Sequence, residues 1–130
     1  MKVYCRKILI LLCVTFLFSG TVVTASTAYN IHLVAQQSKI TKVVKKQNDK
    51  SAYVSREGGE NVISSIATVN MCNSSGIRKS AIKDIDGVGH VYLSYDGYGV
   101  RRGDYIALKA YNNASKNGGR SIDVTGVFIP

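Results

Sequence analysis

The stretch Asp104-Tyr105-Ile106-Ala107-Leu108-Lys109-Ala110-Tyr111-Asn112 places Ile106, Leu108 and Ala110 on one side and Tyr105, Lys109 and Tyr111 on the other. Successive side chains of an extended chain point to opposite faces, so a period of two marks a strand with one buried face. The same period recurs on both sides of it. Downstream, residues 121–129 set Ile122, Val124 and Phe128 against Asp123, Thr125 and Val127. Upstream, residues 88–96 set Val91, Leu93 and Tyr95 against Tyr92 and Ser94, and residues 61–72 align Ile63, Ala67, Val69 and Met71. Residues 51–56 form a short candidate strand. Residues 29–35 align Tyr29, Ile31, Leu33 and Ala35.

The punctuation agrees with strands. Asp86-Gly87, Asp96-Gly97 and Asn117-Gly118 supply the positive-φ residues that tight reversals demand. With such turns between them, the last three strands are expected to form an antiparallel meander. Residues 36–50 are ambiguous: Ile40, Val43 and Val44 fit a helix by spacing, but β-branching at Thr41, Val43 and Val44 favours a strand or an irregular edge. Six to eight short strands with frequent turns predict an all-β chain, a single small antiparallel β-sandwich.

The N-terminus has a different grammar. Lys2, Arg6 and Lys7 precede an apolar run over residues 8–18 broken only by Thr15, and small residues follow around Ala25 and Ala28. That is the layout of a signal peptide, and the run is short of the roughly 20 apolar residues a spanning helix needs. The sequence therefore predicts a signal peptide over residues 1–28, cleaved after Ala25 or Ala28, and one β-sandwich domain over residues 29–130. Three of the 17 Lys and Arg lie in the leader and all eight Asp and Glu lie beyond it, so the remainder carries a net charge of +6. Cys5 and Cys13 fall in the leader, which leaves Cys72 without an internal disulfide partner. Export without disulfides points to a Gram-positive bacterium.

The reactive inventory is thin. Beyond the leader stand His32, His90 and Cys72, with no nucleophile elbow and no third orienting group, and a thiol at the end of an apolar strand reads as core. Asp84-x-Asp86-Gly87 departs from a calcium loop, because glycine is its fourth residue and Tyr95 stands at the twelfth position, so it reads as a turn. One Cys and two separated His do not make a zinc motif. No catalytic residue, metal or cofactor is expected.

Two features suit binding. Lys39, Lys42, Lys45, Lys46 and Lys50 are offset by Asp49 alone, a pattern that guards an edge strand and also attracts polyanions. The run Tyr92-Leu93-Ser94-Tyr95-Asp96-Gly97-Tyr98-Gly99 is followed by Arg101 and Arg102. Tyr95 shares the parity of Leu93 and reads as core, whereas Tyr92 and Tyr98 are the tyrosines expected at the surface. Candidate binding residues are thus the five lysines, Tyr92, Tyr98, Arg101 and Arg102. Expected partners are anionic cell-wall polymers, a membrane surface or glycans, with nucleic acid disfavoured by export.

The order of features resembles a set of small exported Firmicutes proteins catalogued only as a domain of unknown function. The resemblance runs through Tyr29-Asn30-Ile31-His32-Leu33, the lysine-rich stretch ending near Lys50-Ser51-Ala52-Tyr53-Val54, Tyr92-Leu93-Ser94-Tyr95, residues 103–113 and Val124-Thr125-Gly126-Val127-Phe128-Ile129-Pro130. It implies an exported β-domain and carries no functional residue across. The expected function is a secreted or cell-surface, non-enzymatic binding protein. The alternative is a small secreted bacteriocin-like antibacterial protein or toxin, although the absence of Trp departs from aromatic-rich bacteriocins of the lactococcin type.

Overall fold

The computed structural model describes residues 26–130, so the expected leader lies outside the described residues up to residue 25. In chain order the elements are β1 (Thr27–Leu33), β2 (Ser38–Ile40), β3 (Val44–Lys45), β4 (Ala52–Arg56) and β5 (Ile66–Cys72). There follow β6 (Lys83–Asp86), β7 (Gly89–Leu93), β8 (Tyr105–Tyr111), the one-turn helix α1 (Ala114–Asn117) and β9 (Ile122–Ile129). One antiparallel sheet has the order β1-β9-β4-β7. The other runs β2-β8-β5-β6, with β3 also pairing with β8. The protein is a small all-β sandwich.

The period of two in the sequence becomes the inner and outer faces of these sheets. Along β9 every second residue is buried, and Ile122, Val124 and Phe128 are fully enclosed. Ile31 and Leu33 from β1, Val54 from β4 and Leu93 from β7 complete that inner face. Val69, Met71, Ile106, Leu108 and Ala110 from the second sheet belong to the same core. Burying each of the larger side chains contributes about 1.5–3 kcal/mol relative to exposure. Gly126 occupies a core-facing position of β9 for a steric reason. A Cβ there would stand 2.1 Å from the Ser55 carbonyl oxygen, so only glycine lets β9 lie this close to β4. Tyr29, its cross-strand partner on β1, donates its hydroxyl to that same carbonyl at 2.5 Å.

Several expectations require correction. The last three strands are not a meander: β7 pairs with β4, β8 with β5 and β2, and β9 with β1 and β4. The stretch after Leu93 is a crossover between sheets rather than a hairpin, and the chain crosses again before β9. Alternation reports which face of a strand is buried, and both sheets bury theirs in one core, so the pattern is silent on partners. Ile63, expected inward, is 87% exposed. The strand begins only at Ile66, because Ser65 is held by Arg56 and the amide of Ile66 is bonded by Asn117. Asp84 and Asp86 lie on β6 instead of in a turn, and only Gly87 takes a turn conformation, at φ 66°. The ambiguous segment 36–50 forms the short edge strands β2 and β3.

Candidate binding surface

The lysine segment and the Arg101-Arg102 pair lie about fifty residues apart in sequence, and the fold clasps them together. β3 pairs with the start of β8, with Lys45 opposite Tyr105. The amide of Lys46 donates to the Asp104 carbonyl and the amide of Gly103 to the Lys46 carbonyl, both at 2.8 Å. Asp49 accepts the Arg102 amide at 3.0 Å, and Asp104 accepts the Arg101 amide at 2.9 Å. The two carboxylates near these cations thus serve the backbone of the Arg101–Asp104 turn. Lys39, Lys42, Lys45, Lys50, Arg101 and Arg102 are all exposed.

Lys46 is the exception among the predicted lysines. It is only 1% exposed, donates from Nζ to the Lys50 carbonyl at 2.6 Å, and lies 4.3 Å from the centroid of the Tyr95 ring. Burial pushes its pKa down, opposed by the nearby charge of Asp49. It braces the loop that displays its neighbours and does not itself face solvent. The spacing of lysines in a short irregular edge gave no means of singling it out.

Tyr92 belongs to an aromatic group that the sequence does not assemble. On the outer face of the first sheet, β4 and β7 pair Tyr53 with Tyr92 and Ser55 with His90. The Tyr53 and Tyr92 rings stand 5.5 Å apart at 62°, His90 and Tyr92 5.8 Å apart at 86°, and Tyr53 and His90 5.4 Å apart. Beside them opens a cleft of about 510 Å³ lined by Asn48, Lys50, Ser51, Tyr53, Tyr92 and Ile129. Tyr92 is 56% exposed, and Lys50 joins this cleft to the basic edge. Tyr53 and His90 have outward parity in their strands, a signal already present in the sequence. Their meeting depends on a pairing between strands some forty residues apart.

Tyr98 does not join this cleft. It is half-buried, with the Arg78 guanidinium 5.5 Å from its ring centroid, and lines a smaller cavity of about 230 Å³ with Lys79, Asp104 and Tyr105. Another cleft, of about 460 Å³, runs between β1 and β2 and is lined in part by Asn30, His32, Lys39 and Lys42.

The groups that could be written as a Cys–His dyad are dispersed. Cys72 is fully buried in the second sheet, its Sγ 3.6 Å from the Ala107 carbonyl, and burial pushes its thiol pKa up. His90 packs between tyrosines, and His32 bonds to Asp123 at 2.6 Å. Comparisons with protein-family models, with curated proteins and with solved structures return no match.

Proposed function

We propose that this is an exported, non-enzymatic binding protein that attaches to anionic envelope polymers such as wall teichoic acids. The joining of the lysine segment to the Arg101–Asp104 turn, through Lys46 and Asp49, carries this reading. The six exposed cations Lys39, Lys42, Lys45, Lys50, Arg101 and Arg102 attract a polyanion without a shaped pocket, and such attraction weakens as salt screens it. The cleft of Tyr53 and Tyr92 supplies local selectivity, since an aromatic face beside polar groups and a lysine suits the ring of a charged sugar. Export fits a strand boundary as well. β1 starts at Thr27, so cleavage after Ala25 leaves the strand whole whereas cleavage after Ala28 removes two of its residues.

The test is sedimentation of the purified protein with isolated Gram-positive walls across a salt series, with and without teichoic acid. Wild-type binding falls steeply as salt rises and needs the polymer. The variant with Lys39, Lys42, Lys45, Lys50, Arg101 and Arg102 all changed to Gln remains in the supernatant. Binding that ignores salt and survives the sixfold change overturns the proposal.

A further inference from the structure

His32 and Asp123 face each other across the β1–β9 pair, and Nδ1 of the ring lies 2.6 Å from Oδ1 of the carboxylate. A third group comes from the connection between β4 and β5. The amide of Asp123 donates to the Glu60 carbonyl at 3.2 Å, and the amide of Glu60 donates to Oδ2 of Asp123 at 3.1 Å. Gly59 makes this approach possible. Its φ is 113°, and a Cβ there would stand 2.6 Å from Cβ of Asp123. The result is that His32, Glu60 and Asp123 each offer a ligand atom within 4.8 Å of the other two.

The cluster brings two carboxylates to one imidazole. Among the described residues neither carboxylate forms an ion pair with Lys or Arg. Arg56 lies close by, but its guanidinium spends its hydrogen bonds on Ser65 and on the Asp123 carbonyl oxygen. Lys39 and Lys42 line the neighbouring cleft with His32 without bonding to either acid. Two carboxylates and an imidazole are thus gathered at one point, with neither acid bonded to a Lys or Arg side chain. Pairing of strands alone would not require Glu60 to be tied to this point.

We propose that His32, Glu60 and Asp123 form a site for a divalent transition-metal ion of the Zn²⁺ class. One imidazole nitrogen and two carboxylate oxygens are a ligand set for zinc, copper or nickel. Calcium and magnesium call for oxygen ligands throughout. The ion neutralises the two acids, and His32 and Glu60 are exposed on the solvent side, so the remaining coordination positions are open to water. The bound ion ties the edge strand β1 and the 57–60 loop to β9. This proposal does not depend on the envelope-binding reading.

Calorimetric titration of tag-free, chelator-treated protein with Zn²⁺ tests it. The expected result is one ion per chain, undiminished by excess Mg²⁺ or Ca²⁺, together with a melting temperature that rises with Zn²⁺. His32→Ala and Glu60→Gln each weaken binding about tenfold or more, since loss of even an outer-shell partner commonly costs that much. Both side chains are exposed, and unchanged circular dichroism establishes that the variants fold. His90→Ala and Cys72→Ala bind as the wild type does. Absence of saturable binding, or binding that persists in both His32→Ala and Glu60→Gln, overturns the proposal and leaves a plain His–Asp pair between strands. Equal loss in His90→Ala also overturns it.

Discussion

Replacing Arg56 with Ala removes a charged side chain that the sandwich encloses completely. Arg56 is 0% exposed and, among the described residues, has no carboxylate partner. Its guanidinium donates to the Ser65 carbonyl at 2.9 Å, to Oγ of Ser65 at 2.7 Å and to the Asp123 carbonyl at 3.0 Å, while Nε finds no acceptor. Burial lowers its pKa, opposed by Tyr29, Asp123 and Asp86, but a guanidinium stays protonated in a protein. Hydrogen bonds to a charged group contribute about 1.5–3 kcal/mol each, and the desolvation of the cation costs several kcal/mol in return. In the Ala variant that cost disappears, but three acceptors lose their donor and a large cavity opens. The unpaired acceptors and the cavity outweigh the recovered desolvation, and the balance is a loss of about 3–5 kcal/mol, the range of a large-to-small change in a packed core. That is a large share of the roughly 5–15 kcal/mol by which an ordinary domain is stable.

Urea unfolding followed by tyrosine fluorescence suits a chain with eight Tyr and no Trp. With a slope of about 1.5 kcal/mol per molar urea, the midpoint should fall by about 2–3 M. Arg56→Lys should recover only part of it, because an ammonium cannot span three acceptors set for a planar fork. A midpoint for Arg56→Ala within about 0.5 M of wild type would contradict this account. It would mean that the guanidinium's desolvation already cancels everything its hydrogen bonds return.

Lys46→Met should destabilise the fold by about 1–3 kcal/mol, because the Lys50 carbonyl loses its donor and Tyr95 its cation, whereas Lys45→Gln should stay within about 0.5 kcal/mol. Thermal unfolding separates the two, since 1 kcal/mol shifts the midpoint of a domain this size by about 4–8 °C; equal midpoints would return Lys46 to the surface group. At Asp84 burial works to raise the carboxyl pKa, but the hydrogen bonds from Lys116 and Thr68 prevail and hold it below the usual carboxylate range. Because the folded value is depressed, this contribution to stability is present above the unfolded pKa of about 3.9 and is lost as pH falls through the folded value. Lys116→Gln should raise the Asp84 pKa in a carboxyl NMR titration and flatten that acid limb, and an unchanged pKa would count against the pair.

The fold class, most of the strands and most inward residues were legible in the amino-acid sequence, because alternation is a local property written in each segment. It marked Tyr95 and Cys72 as core and Tyr92 as exposed, and left residues 36–50 between a helix by spacing and a strand or irregular edge by β-branching. It misjudged what depends on neighbours distant along the chain. Ile63 continued a buried period that the Arg56–Ser65 contact interrupts, and Lys46 looked like any other lysine until Tyr95 was placed beneath it. Which strand lies beside which, and so the joining of Lys46 to Gly103 and Asp104, of Tyr53 to Tyr92 and of His32 to Asp123, follows from tertiary packing alone. Local periodicity specifies a face to be buried, and many pairings bury the same faces. Only the packing of both sheets around a single core, with Gly126 admitting β4 against β9, selects one of them.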